Sequence, residues 1–240
     1  MKANKLALAS LLIAGMTGTS SAAIILGDVI SVDFGSTAPS TANWNQFTRT
    51  GAAGDFSTNN LVRLADGANT GVSITLTGAT TTNNGGNGAN HLDASAFGGS
   101  SNATIYGDHI FDNTGGSIAA RTLTFNITGL DESLTYNLVG GFLRDSNAFE
   151  NTYTVGTDSR NSTESGGVYN NFHTFSNIGV TSIDGGQPVG QQGVITLTVA
   201  ASSAADIASI SELTITAVPE PSSTALLSLG GLALILRRRK

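Results

Sequence analysis

The three histidines and 17 acidic residues of this sequence are its main candidates for acid–base or metal chemistry. His91, His109 and His173 are far apart in the chain and show neither His-x-His nor His-x₃-His spacing, so they give no support for a zinc site. No Gly-x-Ser-x-Gly elbow is present, which leaves a serine hydrolase unsupported. We therefore expect no enzyme, with a polysaccharide-active carboxylate pair among the acidic residues as an open third alternative.

Two polar segments offer a better metal hypothesis. Hard cations such as Ca²⁺ take carboxylate and amide oxygens from loops, although no EF-hand spacing occurs here. The candidate ligands are Asp108, Asp112 and Asn113 in segment 107–113, and Asp66 and Asn69 in segment 64–71. The alternative is that these residues form ordinary Asx-turns. We expect no cofactor beyond a structural calcium ion at these loops.

Sugar recognition needs an aromatic platform beside amides or charged groups. The single tryptophan, Trp44, is flanked by asparagines and a glutamine, and two later segments, 144–153 and 166–175, combine aromatic and polar residues. The candidate sugar-binding residues are Trp44, Arg144, Asp145, Tyr169 and Asn171. The alternative for Trp44 is a hydrophobic core residue near the first strand.

The elements that would carry these residues are short strands. Apolar residues alternate with threonine or serine in segments 29–35, 72–78, 121–129, 194–200 and 211–218. Such alternation is typical of an antiparallel sheet packed on one face, and no segment of the body shows a capped helical stripe. Segments 80–90 and 182–193 are rich in turn residues and are predicted loops. The pattern predicts an all-β protein, a single antiparallel β-sandwich of roughly eight to ten strands.

One segment, 127–142, predicts a particular corner in that sandwich. Leu130 would plug the turn, and Tyr136 would enter the next strand and tie the crossover to a nearby backbone group. The order of this corner, the early Trp44 and the closing strands resembles jelly-roll domains of the galactose-binding-like type. That resemblance implies a carbohydrate-binding or structural module.

The two ends of the chain differ from the body. Residues 1–23 have a cationic start, an apolar middle and small residues before Ala22 and Ala23, which predicts a signal peptide cleaved after either alanine. At the other end, residues 222–236 are 15 uncharged residues followed by Arg237, Arg238, Arg239 and Lys240. A helix of that length reaches about 23 Å, and the cations can snorkel to the headgroups. We expect a stop-transfer transmembrane helix, with the body outside and the cations in the cytoplasm.

Pro219, Glu220 and Pro221 stand directly before this apolar run. The two prolines hold the chain extended, the form that a protease cleft reads. The tripeptide, the short helix and the basic cluster together resemble the PEP-CTERM sorting signal. That resemblance implies a Gram-negative bacterium and cleavage by an exosortase, a membrane protease. It also implies transient anchoring in the inner membrane before transfer to the cell surface or extracellular matrix. The alternative is an ordinary single-span tail anchor.

The predicted domains are therefore 1–23, 24–218 and 219–240. The middle domain holds 16 acidic residues against five arginines and no lysine, a net charge of −11. This charge excludes nucleic acid as a partner, and the absence of cysteine excludes disulfides and thiol chemistry. The sequence favours a structural or adhesive protein of an exopolysaccharide matrix, with a carbohydrate-binding module as the alternative.

Overall fold

The computed structural model of the protein describes residues 23–35, 41–48, 56–77, 82–86, 108–112, 121–141, 143–144, 150–161, 163–165, 168–170, 172–202 and 208–219. Across these residues the chain is all β. The eighteen strands are β1 (Val29–Phe34), β2 (Asn45–Phe47), β3 (Phe56–Thr58), β4 (Ser73–Thr77), β5 (Thr82–Gly86), β6 (Asp108–Asp112), β7 (Thr122–Leu130), β8 (Thr135–Gly141), β9 (Leu143–Arg144), β10 (Asn151–Val155), β11 (Asp158–Asn161), β12 (Thr163–Ser165), β13 (Val168–Asn170), β14 (His173–Ile178), β15 (Ser182–Ile183), β16 (Gly193–Ala201), β17 (Ala208–Ile210) and β18 (Glu212–Val218).

Two sheets form the sandwich. Sheet I has the order β14-β8-β18-β1-β2, and sheet II has the order β11-β10-β16-β7-β4-β3, with β15 beside β16. Two smaller three-stranded sheets have the orders β12-β13-β9 and β17-β6-β5. Strands β1 and β2 pair in parallel, and the other pairings described are antiparallel.

The core lies between the inner faces of sheets I and II. Alternate residues of each strand are buried, as in β7, where Leu123, Phe125 and Ile127 are fully inaccessible. Phe34 and Phe47 from sheet I meet Phe125 from sheet II, with ring centroids 5.1 to 6.2 Å apart. This layered packing confirms the predicted β-sandwich. The galactose-binding-like resemblance has only this two-sheet architecture in its favour.

The corner between β7 and β8 forms as the sequence predicts. Leu130 is fully buried, and the Tyr136 hydroxyl donates a 2.9 Å hydrogen bond to the Asp131 carbonyl. Asp131 accepts hydrogen bonds from both the amide and the hydroxyl of Ser133, which closes the turn.

Three predicted loops contain strands. In segment 80–90 the residues Thr82–Gly86 form β5, in segment 182–193 the residues Ser182–Ile183 form β15, and the predicted loop containing Asp108 and Asp112 is the strand β6. Strands β5 and β6 pair with each other. Because β5 has no alternation of apolar and polar residues, its extended conformation depends on pairing with β6. The same short strands raise the number above the eight to ten expected.

Candidate functional site

The last strand of the body leads directly to the predicted sorting segment. Strand β18 is the central strand of sheet I, between β8 and β1. The Thr135 hydroxyl lies 3.4 Å from the Val218 carbonyl and 3.2 Å from that of Pro219, so the structure holds the chain up to its exit. Pro219 is exposed and is the last residue described.

The start of the body lies beside this exit. Strand β1 runs antiparallel to β18, the Gly27 amide donates to the Ala217 carbonyl, and the Ala217 amide donates to the Asp28 carbonyl. Ala23, one of the two predicted cleavage residues, is half-buried. The start of β1 and the end of β18, which adjoin the predicted signal peptide and sorting motif in the sequence, are therefore neighbours at one end of the sandwich.

Several predicted residues lie outside the described part of the chain: Ala22, Glu220, Pro221, Arg237, Arg238, Arg239 and Lys240. Residues 1–22 of the predicted signal peptide and the whole predicted transmembrane helix also fall there. Among the residues described, no helix has the length and apolar character needed to cross a bilayer.

The outer face of sheet II carries a regular array of small polar side chains. Cross-strand partners place Thr77, Thr124, Thr198, Thr154 and Ser159 in one row across five strands. A second row contains Ser57, Thr75, Asn126 and Thr196. A third row contains Thr122, Thr152 and Asn161, with the apolar Ala200 between the two threonines. Ser73 and Thr128 form a fourth pair. We call these four rows the hydroxyl face.

The hydroxyl face is neutral and at least partly accessible. Each of its side chains is half-buried or exposed, and none is charged, although the body carries a net charge of −11. Neighbouring rows stand about 7 Å apart along the strands, and neighbours within a row about 4.8 Å apart. Apart from Ala200, the surface is therefore a lattice of hydroxyl and amide groups.

Hydrogen bonds fix some of these side chains. The Thr196 hydroxyl donates to the side-chain oxygen Oδ1 of Asn126 at 2.9 Å, and the Thr154 and Ser159 hydroxyls are 3.0 Å apart. At one edge the face deepens into an open pocket of about 340 Å³, lined by Thr154, Gly156, Thr181, Ser182, Thr196 and Thr198. The size is at the lower end of the range for small-molecule sites, about 300–1,000 Å³.

The alternation of threonine with apolar residues predicts that the threonines face water, but it does not predict that they form rows across the strands. The Thr-x-Thr spacing in segments 75–77, 122–124, 152–154 and 196–198 places two hydroxyls on the same side of each strand. What the sequence does not give is the register that aligns them.

Trp44 is half-buried just before β2, and its polar neighbours are already used. Asn45 binds the carbonyls of Ser31 and Val62, and accepts from the Val62 amide. Asn43 donates to the Leu64 carbonyl. These side-chain amides are bonded to the backbone, so fewer of their hydrogen-bonding groups are available to a sugar beside Trp44 than the sequence suggested.

Two other predicted sugar-binding residues come together. Arg144 in β9 and Tyr169 in β13 are cross-strand partners, and Tyr169 is also paired with Glu164 in β12. The structure describes the backbone at these positions. Asp145 and Asn171 lie outside the described residues.

The calcium candidates are placed differently from the expectation. Asp108 and Asp112 stand at the two ends of β6, about 13 Å apart along the strand, so a single ion would be held by one of them and not both. Asn113 is outside the described part. The Asp66 carboxylate accepts a hydrogen bond from the Ala68 amide, which is the Asx-turn given above as the alternative. It also forms an ion pair with Arg63 at 3.0 Å. No group of three acidic or histidine residues within the described segments is arranged to hold a metal.

Two acidic residues that the sequence analysis did not single out face each other at the opposite end of the sandwich. Asp33 in β1 is the cross-strand partner of Glu212 in β18, and both are buried. Cross-strand partners lie about 5 Å apart. The pair therefore concentrates carboxylate groups where β1 ends and β18 begins.

His173 is the histidine for which the structure gives a full environment. Its ring centroid is 5.1 Å from that of Tyr153, and Tyr153 donates to the Ser209 carbonyl at 2.7 Å. Burial, together with the nearby Arg160 charge, lowers the pKa of His173. His109 lies in β6, and His91 is outside the described residues.

Comparison with known proteins places the clearest match at the exit of β18. The PEP-CTERM protein-sorting motif matches residues 217–240, which overlaps the last two residues of β18. This match confirms the predicted sorting signal. It indicates an exported protein that is sorted by an exosortase and directed to the cell surface, with a transient stay in the membrane.

The body has weaker similarities. No curated protein matches the chain. An X-ray crystal structure of the Bacillus subtilis protein YXIM is similar, with a TM-score of 0.40 and 14% sequence identity. The similarity covers 80% of this chain and 40% of that protein, so this chain spans less than half of its length.

Proposed function

Because the chain carries a PEP-CTERM protein-sorting motif at residues 217–240, we propose that it is a structural or adhesive protein of an exopolysaccharide matrix. An exosortase would read Pro219, Glu220 and Pro221 while the apolar segment 222–236 and its basic cluster hold the chain in the inner membrane. The sandwich would then be transferred to the cell surface. The proposal involves no nucleic acid.

The hydroxyl face is the observation that supports the matrix role. A polysaccharide is itself covered with hydroxyl groups, so it can exchange water hydrogen bonds for bonds to Thr124, Thr198 and their neighbours in the rows. Each bond contributes only about 0.5–1.5 kcal/mol, but a long chain can make many of them at once. Because the face is neutral, an acidic polysaccharide would meet less repulsion there than on the rest of the body.

Co-sedimentation of the protein released from the cell surface with the exopolysaccharide of the producing cells tests this role. The variant Thr124→Val with Thr198→Val removes two hydroxyls from the first row and keeps the β-branched shape. We expect its bound fraction to fall several-fold. The matched control is Thr174→Val, an exposed threonine of β14 in sheet I, which should bind like the unmodified protein. Equal loss in both variants, or in neither, contradicts the role of the face.

A carbohydrate-binding module with one defined site is the second candidate, favoured by the 340 Å³ pocket beside Thr154 and Thr196. It predicts saturable binding of a short oligosaccharide with a stoichiometry of one, measured by calorimetry and lost in Thr196→Val. The matrix role instead predicts binding that needs a long polymer. The cross-strand partners Arg144 and Tyr169 stay an additional sugar-binding prediction. The variant Tyr169→Ala tests this prediction in the same assay.

The proposal includes neither a catalytic step nor a resident cofactor. A structural calcium ion at Asp108, Asp112 or Asn113 stays a prediction. Melting the protein with calcium and with a chelator tests it, since an ion that binds only the folded state raises the melting temperature. An unchanged melting temperature removes the calcium hypothesis.

Sorting is tested separately. Intact-mass measurement of the surface-extracted protein reads both processing points. We expect a loss of residues 1–22 or 1–23 and of the segment after the Pro-Glu-Pro motif. The variant Pro219→Ala, Glu220→Ala, Pro221→Ala should retain its C-terminal mass and stay in the membrane fraction. Normal processing of this variant contradicts the assignment of the cleavage motif.

A further inference from the structure

Exposed large apolar side chains are unevenly distributed over the described residues. Four such side chains are more than half exposed: Ile25 at 58%, Leu26 at 54%, Ile183 at 56% and Val189 at 84%. Single exposed apolar residues are common on protein surfaces. The distribution is informative because all four lie at the end of the sandwich where the chain leaves β18.

The hydrogen bonds establish this clustering. Leu26 precedes Gly27, whose amide binds the Ala217 carbonyl near the end of β18. Val189 lies in the loop 184–192, and the amides of its neighbours Gly190 and Gln192 donate to the Glu132 carboxylate at 3.0 and 3.2 Å. Glu132 belongs to the turn that leads to Thr135, the residue whose hydroxyl faces the Val218 and Pro219 carbonyls. Ile183 is paired with Gly193, which is paired with Leu130 at the start of the same turn.

We call this end the exit pole, formed by residues 24–28, the adjoining residues 63–66, the turn 131–134, residues 183–192 and the end of β18. Its distance from a membrane is limited by the chain. Pro219 is followed by two residues before the uncharged stretch 222–236 begins. Three extended residue steps span about 10 Å, so insertion of that stretch brings the exit pole to the bilayer surface.

We propose that the exit pole is a lipid-contact surface. While the C-terminal segment is inserted, Leu26, Ile25 and Val189 enter the interfacial region of the bilayer and orient the sandwich with its two chain ends towards the lipid. This inference depends on the proposed function only in requiring that segment 222–236 enters a membrane. It adds the orientation of the folded domain and the residues that set it.

Because of the charges of the exit pole, this lipid contact should depend on the short linker to the inserted segment 222–236. Asp28 and Asp66 both pair with Arg63, at 3.4 and 3.0 Å. Glu132 is bound by backbone amides, and so is Asp184, through Gly186. Together with Asp131, these acids outnumber the one arginine. The pole should therefore avoid anionic lipid when free and contact lipid when the short linker holds it at a high local concentration.

The absence of cysteine allows a direct test on the full chain. Single variants Leu26→Cys and Val189→Cys carry an environment-sensitive fluorophore and are reconstituted in zwitterionic vesicles with and without brominated lipid. The control is Ser202→Cys, an exposed position at the far end of β16, about 30 Å along the strand from Gly193. We expect bromolipid to quench the labels at positions 26 and 189 at least threefold more than the label at position 202.

The controls distinguish the possible failures. Equal quenching at all three positions in protein that resists alkaline extraction overturns the lipid-contact proposal and leaves membrane insertion intact. Protein that is extracted by alkali shows that segment 222–236 does not insert, which overturns both proposals. A label at position 189 that is equally shielded in detergent, with the protein dimeric by light scattering, shows that a second copy covers the pole and overturns the lipid assignment.

Discussion

Tyr153 and His173 differ in how burial affects them, although their rings touch. Burial raises the pKa of the Tyr153 hydroxyl, which keeps it as a donor to the Ser209 carbonyl. Burial lowers the pKa of His173, with a further contribution from the positive charge of Arg160. In both cases the neutral form is the one that the folded protein favours.

This environment predicts a pH dependence of stability. Because the pKa of His173 is lower in the folded state than its ordinary value of about 6.5, the unfolded state binds more protons between the two values. The free energy of unfolding should therefore decrease as the pH falls below about 6.5, and level off below the folded-state pKa. Urea denaturation between pH 7.5 and 5 measures it.

The variant His173→Gln is the control for this prediction, since glutamine does not titrate. Its free energy of unfolding should change less over the same pH range than that of the unmodified protein. Parallel curves for the two proteins would show that other groups cause the pH dependence.

For single residues, the sequence predicts which side chains face water, but it does not predict which of them are neighbours across strands. The alternation in segments 72–78 and 194–200 was enough to assign the threonines to an outer face. Thr77 and Thr198 are distant in the chain and reach the same row only because β4, β7 and β16 adopt one particular register. Register depends on the pairing of non-local strands, which a single sequence does not contain.

Among the elements, the β7–β8 corner is the one whose details the sequence anticipated. Gly129, just before the turn, has a φ of +80°, and a Cβ there would collide with the Gly71 carbonyl. The glycine, the buried Leu130 and the Tyr136 hydroxyl act over a few residues of chain, so a local pattern is sufficient to identify them.

Removal of the Tyr136 hydroxyl tests the contribution of this corner. Tyr136→Phe removes one hydrogen bond to the Asp131 carbonyl at the rim of the sandwich, and should lower the free energy of unfolding by about 1 kcal/mol. Tyr153→Phe should cost more, about 1–3 kcal/mol, because its bond to the Ser209 carbonyl is buried. Chemical denaturation of both variants provides the comparison, and a larger effect for Tyr136→Phe would contradict it.

Strands β5 and β6 show where local patterns fail. The sequence of β5, Thr-Asn-Asn-Gly-Gly, has the composition of a turn. It forms a strand because it pairs with β6, which is itself paired with β17 on its other edge. The calcium hypothesis at Asp108 and Asp112 assumed a loop. The strand β6 instead separates the two residues along its length, which disfavours a shared ion.

For the whole molecule, the important feature is that the strand next to the sorting motif is also the centre of sheet I. β18 pairs with β1 over five positions and with β8 over seven. It also supplies Leu213, Ile215 and Ala217 to the core. The sandwich is therefore incomplete until the chain has been made into the first residues of the motif.

Truncation tests this dependence. In a body that starts at Ile24, a stop after Ser211 removes β18 and should abolish cooperative thermal unfolding, because two neighbouring strands lose their partner and the core is opened. A stop after Pro219 should leave the melting temperature within about 2 °C of the longer chain. Calorimetry measures both, and a cooperative transition in the shorter body would contradict the central role of β18.

The position of β18 also determines how the surface-attached protein would respond to mechanical force. A pull on the C-terminus acts along β18, between two antiparallel neighbours, so the bonds to β1 and β8 are loaded in shear and resist together. An edge strand such as β14 has one neighbour, so a single ladder of hydrogen bonds would resist the same pull. A protein that is held at the cell surface through β18 would therefore resist tension well.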